Sequence, residues 1–166
     1  VLEDVGILFL NDDALDVLEA AGCTVDRETK RVRMDRNFVI DMASKAPATF
    51  TITPRNPDRE ITVGGRQFNF GQVASAPNVM DLDRGRRIGN RADYQDLLRL
   101  SQAYNCIRFN SGYPVEPIDI HASIRHLDAH YDMLTLTDKV IHAYSLGPER
   151  ILSLIHISEP TRPSSI

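Results

Sequence analysis

Two histidines, His126 and His130, have the spacing that could serve metal chemistry. Imidazoles one helical turn apart can ligate a metal ion together when a third ligand is available. No His-Glu-x-x-His pattern surrounds this pair, although Asp128 and Asp132 lie beside it. The helix that carries them is predicted to lie in the outer layer of helices around a sheet, away from the ends of the strands. We therefore expect a partly exposed polar face and no metal site.

A second candidate is the basic cluster formed by Arg84, Arg86 and Arg87. Three guanidinium groups could hold the acidic surface of a partner protein. Asp81, Asp83 and Asp93 nearly neutralise the cluster, which favours a solvated hairpin over a binding site.

The other motifs indicate structure and not chemistry. Gly64-Gly65 lacks a flanking GxGxxG or GKS pattern, so it predicts a turn and no phosphate site. No Gly-x-Ser-x-Gly segment supports a serine hydrolase. Cys23 and Cys106 lie far apart without a CxxC spacing, and we expect both to be reduced, buried thiols.

Composition excludes several classes of protein. The 166 residues are 42% hydrophobic and 25% charged, as is typical of a folded globular chain. A net charge of -4 gives no broad basic field for nucleic acid or an anionic membrane. No apolar run reaches the roughly 18 residues of a membrane span. We expect a cytoplasmic protein that binds neither nucleic acid nor membrane.

The elements that must position any site fall into two parts. Residues 1–65 are predicted to form a small α+β layer. Asn11 or Asp12 begins a helix that ends near Gly22, and a short helix precedes it. Asp35 begins another helix. Hairpins are predicted over residues 23–34 and around Gly64-Gly65, with an alternating strand over residues 49–53.

From residue 66 to 151 strands alternate with helices. Strands are predicted over residues 68–70, 107–110 and 139–144, and helices over residues 91–104 and 121–136 and from Pro148. This order is typical of parallel βαβ units. We interpret it as the first three units of a TIM-like (β/α)8 barrel, which three units cannot close.

The end of the chain, Leu152–Ile166, changes pattern abruptly. Its segment LSLIHISEPTR resembles the translation of a transposase adapter used in sequencing libraries. We expect residues 152–166 to be a non-native tail that packs weakly. The alternative is a natural polar tail.

Two long segments carry a resemblance to a known family. NVMDLDRGRRIGNRADYQDLLRLSQAYNCI is followed by SGYPVEPIDIHASIRHLDAHYDMLTLTDKVIHAYSL. The most characteristic parts are V-E-P-x-D at residues 115–119 and T-D-K at residues 137–139. From Val1 to Ile151 the chain resembles the N-terminal part of trimethylamine:corrinoid methyltransferases.

The resemblance implies a barrel enzyme that moves a methyl group from a methylated amine to the cobalt of a separate corrinoid protein. The chain itself would then bind no cofactor directly, and a homo-oligomer is left open. Some members use pyrrolysine to engage trimethylamine, whereas others lack it and use quaternary amines such as glycine betaine. That position lies beyond this chain, so we expect no catalytic residue within it and no activity from it alone.

The loops after the three predicted strands would face the site in a barrel. From these loops we select Gln72, Asn110, Tyr113, Glu116 and Tyr144 as substrate-binding candidates. A methylated ammonium is held by aromatic faces and a carboxylate, which favours the two tyrosines and the glutamate. The alternative is that the tyrosines pack the barrel rim and the glutamate caps a loop.

Three functions stay open from the sequence. The leading hypothesis is a corrinoid-dependent methyltransferase acting on trimethylamine, or on a quaternary amine such as glycine betaine. The second is a noncatalytic module that binds a partner through its hairpins. The third is an unrelated barrel enzyme.

Overall fold

The computed structural model describes residues 1–143 and 147–158, and side chains in the last helix up to residue 154. Within this part the chain is a mixed α/β structure with several small sheets. It divides into two compact units, Val1–Ala48 and Thr49–Ile166. The predicted division near residue 65 lies inside the second unit and stays a prediction.

The first unit combines two helices with a three-stranded sheet. In chain order it contains β1 (Ile7–Leu8), α1 (Asp12–Ala20), β2 (Thr24–Asp26), β3 (Arg31–Arg33) and α2 (Arg36–Ser44). Both predicted caps are confirmed, because Asn11 accepts a hydrogen bond from the Ala14 N–H and Asp35 from the Phe38 N–H. The short helix predicted before Asn11 is wrong. That segment instead forms β1, which pairs antiparallel with β3.

The second unit holds the remaining elements. They are β4 (Thr49–Ile52), a 3-10 helix (Pro57–Arg59), β5 (Ile61–Gly64), β6 (Phe70–Gly71), β7 (Asn78–Asp81), β8 (Gly85–Ile88), α3 (Arg91–Ala103), β9 (Ile107–Asn110), α4 (Arg125–Leu136), β10 (Val140–Ile141) and α5 (Pro148–Ser158).

A parallel sheet with the order β10-β9-β6 is the centre of this unit. Val140 lies opposite Phe109, and Phe70 lies opposite Ile107. The prediction of three parallel strands is therefore confirmed, although the first strand starts later than expected. No sheet closes on itself within residues 1–143 and 147–158, so the TIM-like barrel stays a prediction.

Two antiparallel hairpins accompany the parallel sheet. The hairpin predicted around Gly64-Gly65 is wrong, because β5 pairs with β4 and places Ile52 opposite Ile61. The segment after Gly65 instead leads to β6, which pairs with β9. The second hairpin pairs β7 with β8 and carries the arginine cluster, for which a hairpin was predicted.

The core of the second unit lies between α3, α4 and the loop after β9. Tyr94, Leu98, Val115, Ala129 and Met133 are almost completely buried. Burying each large apolar side chain contributes roughly 1.5–3 kcal/mol to the free energy of unfolding. This cluster holds α3 and α4 together and gives the neighbouring loop a fixed support.

The last helix extends into the segment that was predicted to pack weakly. Leu152 is 56% exposed, but Leu154 is only 7% exposed. Weak packing is therefore wrong for Leu154, and the adapter origin of residues 152–166 stays a prediction. Cys106 is exposed while Cys23 is buried, which corrects the expectation of two buried thiols.

Within the part of the chain that the structure describes, no helix is both long enough and apolar enough to cross a membrane.

Candidate functional site

The loops that follow β6 and β9 lie side by side at the carboxyl ends of their strands. The Gln72 side chain donates a hydrogen bond to the Gly112 carbonyl oxygen at 3.3 Å, and the Ser75 N–H donates to the Tyr113 carbonyl oxygen at 2.7 Å. Ser75 has a φ of 61°, a left-handed conformation that is uncommon for a residue other than glycine. These contacts fix the two loops as one surface.

Three of the five predicted site residues lie on this pair of loops. The Oε1 atom of Gln72 is buried and has no hydrogen-bond partner among the described residues. Tyr113 is 4% exposed, and its ring packs edge to face against Tyr94 with centroids 5.8 Å apart. Glu116 forms an ion pair with Arg125 at 3.5 Å. Glu116 could face a cation only if this ion pair opened, and the Tyr113 ring is packed in the core.

Asn110 is oriented differently from the other candidates. It is fully buried, accepts a hydrogen bond from the Ser101 hydroxyl at 2.6 Å and donates one to the Thr137 hydroxyl at 3.3 Å. Ser101 belongs to α3, so the Asn110 side chain faces the helix layer. Tyr144, the fifth candidate, lies outside the described residues.

A cavity of about 590 Å³ lies on the other face of the parallel sheet, beneath the β4–β5 hairpin. Its apolar lining comprises Ile52, Ile61, Val63, Phe109, Val140 and Ile141. Its polar lining includes Asn69, Ser111 and His142, and the last two follow β9 and β10 directly. Small-molecule sites commonly have volumes of about 300–1,000 Å³ and this combination of apolar walls with few polar groups.

Phe109 supplies the aromatic face in this cavity, and sequence reasoning missed it. Successive residues of a strand point to opposite faces, so Phe109 lies opposite the face of Asn110. Its ring lies against Gly71, where an added Cβ would be 2.4 Å from the ring Cζ. The alternation of side chains along the strand Ile107–Asn110 could have revealed it, once the face that contains Asn110 is known to pack against α3.

The histidine pair is buried, not partly exposed as predicted. His126 is 8% and His130 is 5% exposed. Burial lowers the pKa of both imidazoles, which keeps them neutral near pH 7. Among the described residues no group of three or more His, Cys, Asp or Glu side chains could hold a metal ion.

The arginine cluster belongs mostly to an internal network. Arg87 contacts Asp81 at 2.6 Å and also contacts Asp93, whose side chain is 5% exposed. Arg84 forms an ion pair with Asp81 at 2.9 Å. These ion pairs connect the β7–β8 hairpin to the first turn of α3. The predicted hairpin is present, and its arginines pair mostly with neighbouring carboxylates.

The two most characteristic motifs contact opposite ends of α3. At its start, Asp119 accepts a hydrogen bond from the Arg91 N–H at 2.8 Å. At its end, the Lys139 ammonium donates to the Ser101 carbonyl at 2.5 Å and to the Tyr104 carbonyl at 2.7 Å. Burial lowers the pKa of this lysine. The carboxylate and the ammonium complement the helix dipole at the two ends.

Comparison with known proteins supplies the family. A family model described as Trimethylamine methyltransferase (MTTB) matches residues 1–162. The chain belongs to the trimethylamine methyltransferase family. The resemblance stated for the chain from Val1 to Ile151 is thereby confirmed.

Three curated relatives of this chain have informative names. It is 34% identical over 158 residues, 95% of its length, to a glycine betaine methyltransferase of Desulfitobacterium hafniense strain Y51. Over 75% of its length it is 30% identical to a trimethylamine methyltransferase of strain DSM 10664 / DCB-2 of the same species. It is also 28% identical over 72% of its length to a proline betaine:corrinoid methyltransferase of Eubacterium limosum.

The chain spans 33%, 25% and 24% of the lengths of these relatives, in the same order. The activity, substrate and partners of the whole protein are therefore proposals.

Proposed function

We propose that the complete protein carrying this chain transfers a methyl group from a methylated ammonium compound to a corrinoid held by a separate protein. Family membership over residues 1–162 is the observation that carries this proposal. In the reaction the C–N bond breaks, its electron pair stays on the amine nitrogen, and the methyl group passes to the nucleophilic acceptor. The chain itself binds no corrinoid, and the protein acts in the cytoplasm.

The substrate is a quaternary amine of the betaine class. The match to the glycine betaine methyltransferase supports this choice, because it covers 95% of the chain at 34% identity, against 75% at 30% for the trimethylamine methyltransferase. Trimethylamine, the substrate first expected from the sequence, is the second candidate.

The apolar cavity contributes one wall of the amine pocket. A quaternary ammonium has no N–H to donate, so attraction to the Phe109 ring and contact with apolar side chains would hold it. Gln72, Tyr113 and Glu116, on the loops after β6 and β9, stay candidates for the strand-end side of this pocket, and Tyr144 stays a candidate from the sequence alone. Asn110 acts behind it, as the support between β9 and α3.

The rest of the protein completes the barrel and supplies the group that activates the amine. Methyl transfer requires donor and acceptor in alignment, and poor positioning alone can forfeit several orders of magnitude in rate. The present chain alone is therefore inactive. Free edges at β6 and β10 also favour its association or aggregation.

The test uses the complete protein with glycine betaine, proline betaine, trimethylamine and a corrinoid protein in its reduced state. Mass spectrometry follows the demethylated amine. We expect turnover with a betaine, and a rise of about tenfold in KM for Phe109→Ala, since one cation–π contact contributes roughly 0.5–2 kcal/mol. The control is Phe68→Ala, which removes a ring that is 86% exposed.

Absence of demethylation with every amine would refute the methyltransferase proposal. Turnover with trimethylamine alone would refute the betaine assignment. An unchanged KM in Phe109→Ala would remove the cavity from the site.

A further inference from the structure

The β4–β5 hairpin forms one side of the apolar cavity without pairing to the parallel sheet. Within the residues that the structure describes, β4 and β5 pair only with each other. An isolated two-stranded hairpin is at best marginally stable in water. We call the apolar side chains that the hairpin gives to the cavity, Ile52, Ile61 and Val63, the cavity floor. Contacts other than strand pairing must therefore hold this floor against the sheet.

The segment that joins β4 to β5 is attached to the chain just before β10. The Arg55 side chain donates a hydrogen bond to the Thr137 carbonyl oxygen at 3.2 Å. The Asn56 side chain donates to Oδ2 of Asp138 at 2.8 Å, and Arg59 forms an ion pair with the same carboxylate at 3.5 Å. Since Asp138 comes shortly before β10, the joining segment lies at the amino end of that strand.

Asp138 also joins the hairpin to the helix layer. Its other oxygen, Oδ1, accepts a hydrogen bond from the Gln102 side chain on α3 at 2.8 Å. Hydrogen bonds from Asn56 and Gln102 hold the pKa of Asp138 below its ordinary value, so the carboxylate is ionised near pH 7. Hydrogen bonds to an ionised group are roughly twice as strong as neutral ones. One half-buried carboxylate thus fixes the hairpin relative to both β10 and α3.

The attached hairpin limits the depth of the cavity. Ile52 and Ile61 flank the joining segment, so they lie toward the amino ends of the strands. Ser111 and His142 also line the cavity, and they follow β9 and β10 at the carboxyl ends. A ligand that enters from those ends would meet the cavity floor last. One methylene in an apolar pocket can change discrimination between ligands by about 10–200-fold, so a small shift of the floor would change which ligand fits best.

We propose that Asp138 is a positioning residue for the amine pocket, which holds the cavity floor at the depth that discriminates between betaines. This inference rests on the proposed function, because the depth of the cavity matters only if an amine binds there. Asp138 touches no substrate and acts through Asn56 and the hairpin. A floor that recedes would remove apolar contacts from the smaller glycine betaine and give room to the ring of proline betaine.

The experiment reverses the hydrogen bond between Asn56 and Asp138 in the complete protein. Asn56→Asp places two carboxylates together, and Asp138→Asn places two amide N–H groups together. The double variant restores one donor and one acceptor, and an amide at position 138 still offers an oxygen to Gln102. Val32→Ala, which shortens a fully buried side chain in the first unit, is the control for lost stability.

Three quantities are measured for each variant. The first is the pair kcat and KM for glycine betaine and for proline betaine with the reduced corrinoid protein. The second is the Kd of each betaine without the corrinoid protein, by isothermal titration calorimetry. The third is hydrogen–deuterium exchange of peptides that cover residues 49–64.

We expect each single variant to raise the KM and the Kd for glycine betaine by about tenfold, with kcat within about twofold, since the floor contacts the ground state and the transition state alike. The values for proline betaine should rise less, so the preference shifts toward it. Exchange over residues 49–64 should become faster. The double variant should return toward the wild type in all three measurements, and Val32→Ala should leave the preference between the betaines unchanged.

An equal loss for both betaines would reduce Asp138 to a residue that only stabilises the fold, and the proposal would then be wrong. Unchanged affinities in the single variants, or a double variant no better than either single variant, would also overturn it. If the wild type demethylates no amine, the proposed function fails. The exchange of residues 49–64 still decides whether Asp138 holds the hairpin in place.

Discussion

Replacing Gly71 with alanine tests whether the Phe109 ring keeps its position because residue 71 has no side chain. The added Cβ would lie 2.4 Å from Cζ, 2.5 Å from Cε2 and 2.9 Å from Cε1 of the ring. Carbon atoms in contact are about 3.5–4.0 Å apart, so the ring must move by roughly 1 Å. It can only do so by swinging further into the cavity, because β6 and β9 are paired at this point.

Overpacking of this kind costs about 1–3 kcal/mol. Because Phe109 is half-buried and borders a cavity of about 590 Å³, we expect the lower end of that range. The displaced ring would also occupy the space proposed for the ammonium group. Gly71→Ala should therefore lower both the free energy of unfolding and the affinity for the amine.

A double-mutant cycle with Phe109→Ala isolates the contact. Urea unfolding of the complete protein, followed by far-UV circular dichroism, gives the stability of both single variants and of the double variant. If the ring is the obstacle, Gly71→Ala should cost less than half as much without it, a coupling of at least about 0.5 kcal/mol. An equal cost in both backgrounds would refute this reasoning and place the strain in the backbone.

Three further predictions concern buried groups. Tyr94→Phe should lower the free energy of unfolding by about 1 kcal/mol, because the Tyr94 hydroxyl donates a hydrogen bond to the Ala129 carbonyl. Burial also raises the pKa of Tyr94, so the stability of the wild type should fall above pH 10.0. Thermal melts over a pH series should show a less steep fall for the variant. Burial lowers the pKa of His126, so the free energy of unfolding should decrease as the pH falls below 6.5. His126→Phe should make this decrease smaller. Gly89→Ala places a Cβ 2.2 Å from Val115 and should destabilise the protein by at least about 2 kcal/mol, seen as a lower urea midpoint.

Local signals in the sequence predicted the helices well. Asn11 and Asp35 begin α1 and α2 because their side chains accept hydrogen bonds from the first turn, an interaction within three residues. The helix expected from His121 begins instead at Arg125. Residues 121–124 form a separate turn, in which the Ile124 N–H donates to the His121 carbonyl.

Pairing of strands could not be predicted in the same way. The β5 strand pairs back to β4 across the 3-10 helix, and β6 pairs with β9 far along the chain. Nothing local in Gly64-Gly65 distinguishes this arrangement from a tight hairpin, because both need glycine at positive φ. The choice is made by which neighbour can bury the apolar face of each strand.

The candidate site shows the same limit. Selecting residues after the predicted strands gave Gln72, Tyr113 and Glu116, which do lie on adjacent loops because the carboxyl ends of parallel strands share one edge, and their role in binding stays a prediction. It also selected Asn110, which turns toward α3, and it missed Phe109 next to it. The two alternate along one strand, so only the position of the helix layer decides which of them faces a ligand.

The contacts of α3 explain why the two segments that carried the resemblance to the family need not take part in catalysis. Asp119 satisfies an N–H at the first turn that the helix cannot satisfy itself, and Lys139 does the same for carbonyls at the last turn. Between these ends, Ser101 donates to Asn110 and so fixes β9 against the helix. Charged groups with such partners are costly to replace singly, because a lone substitution leaves polar atoms unpaired. The motifs thus set the height and tilt of α3, and through it the position of the strand ends where a substrate would bind.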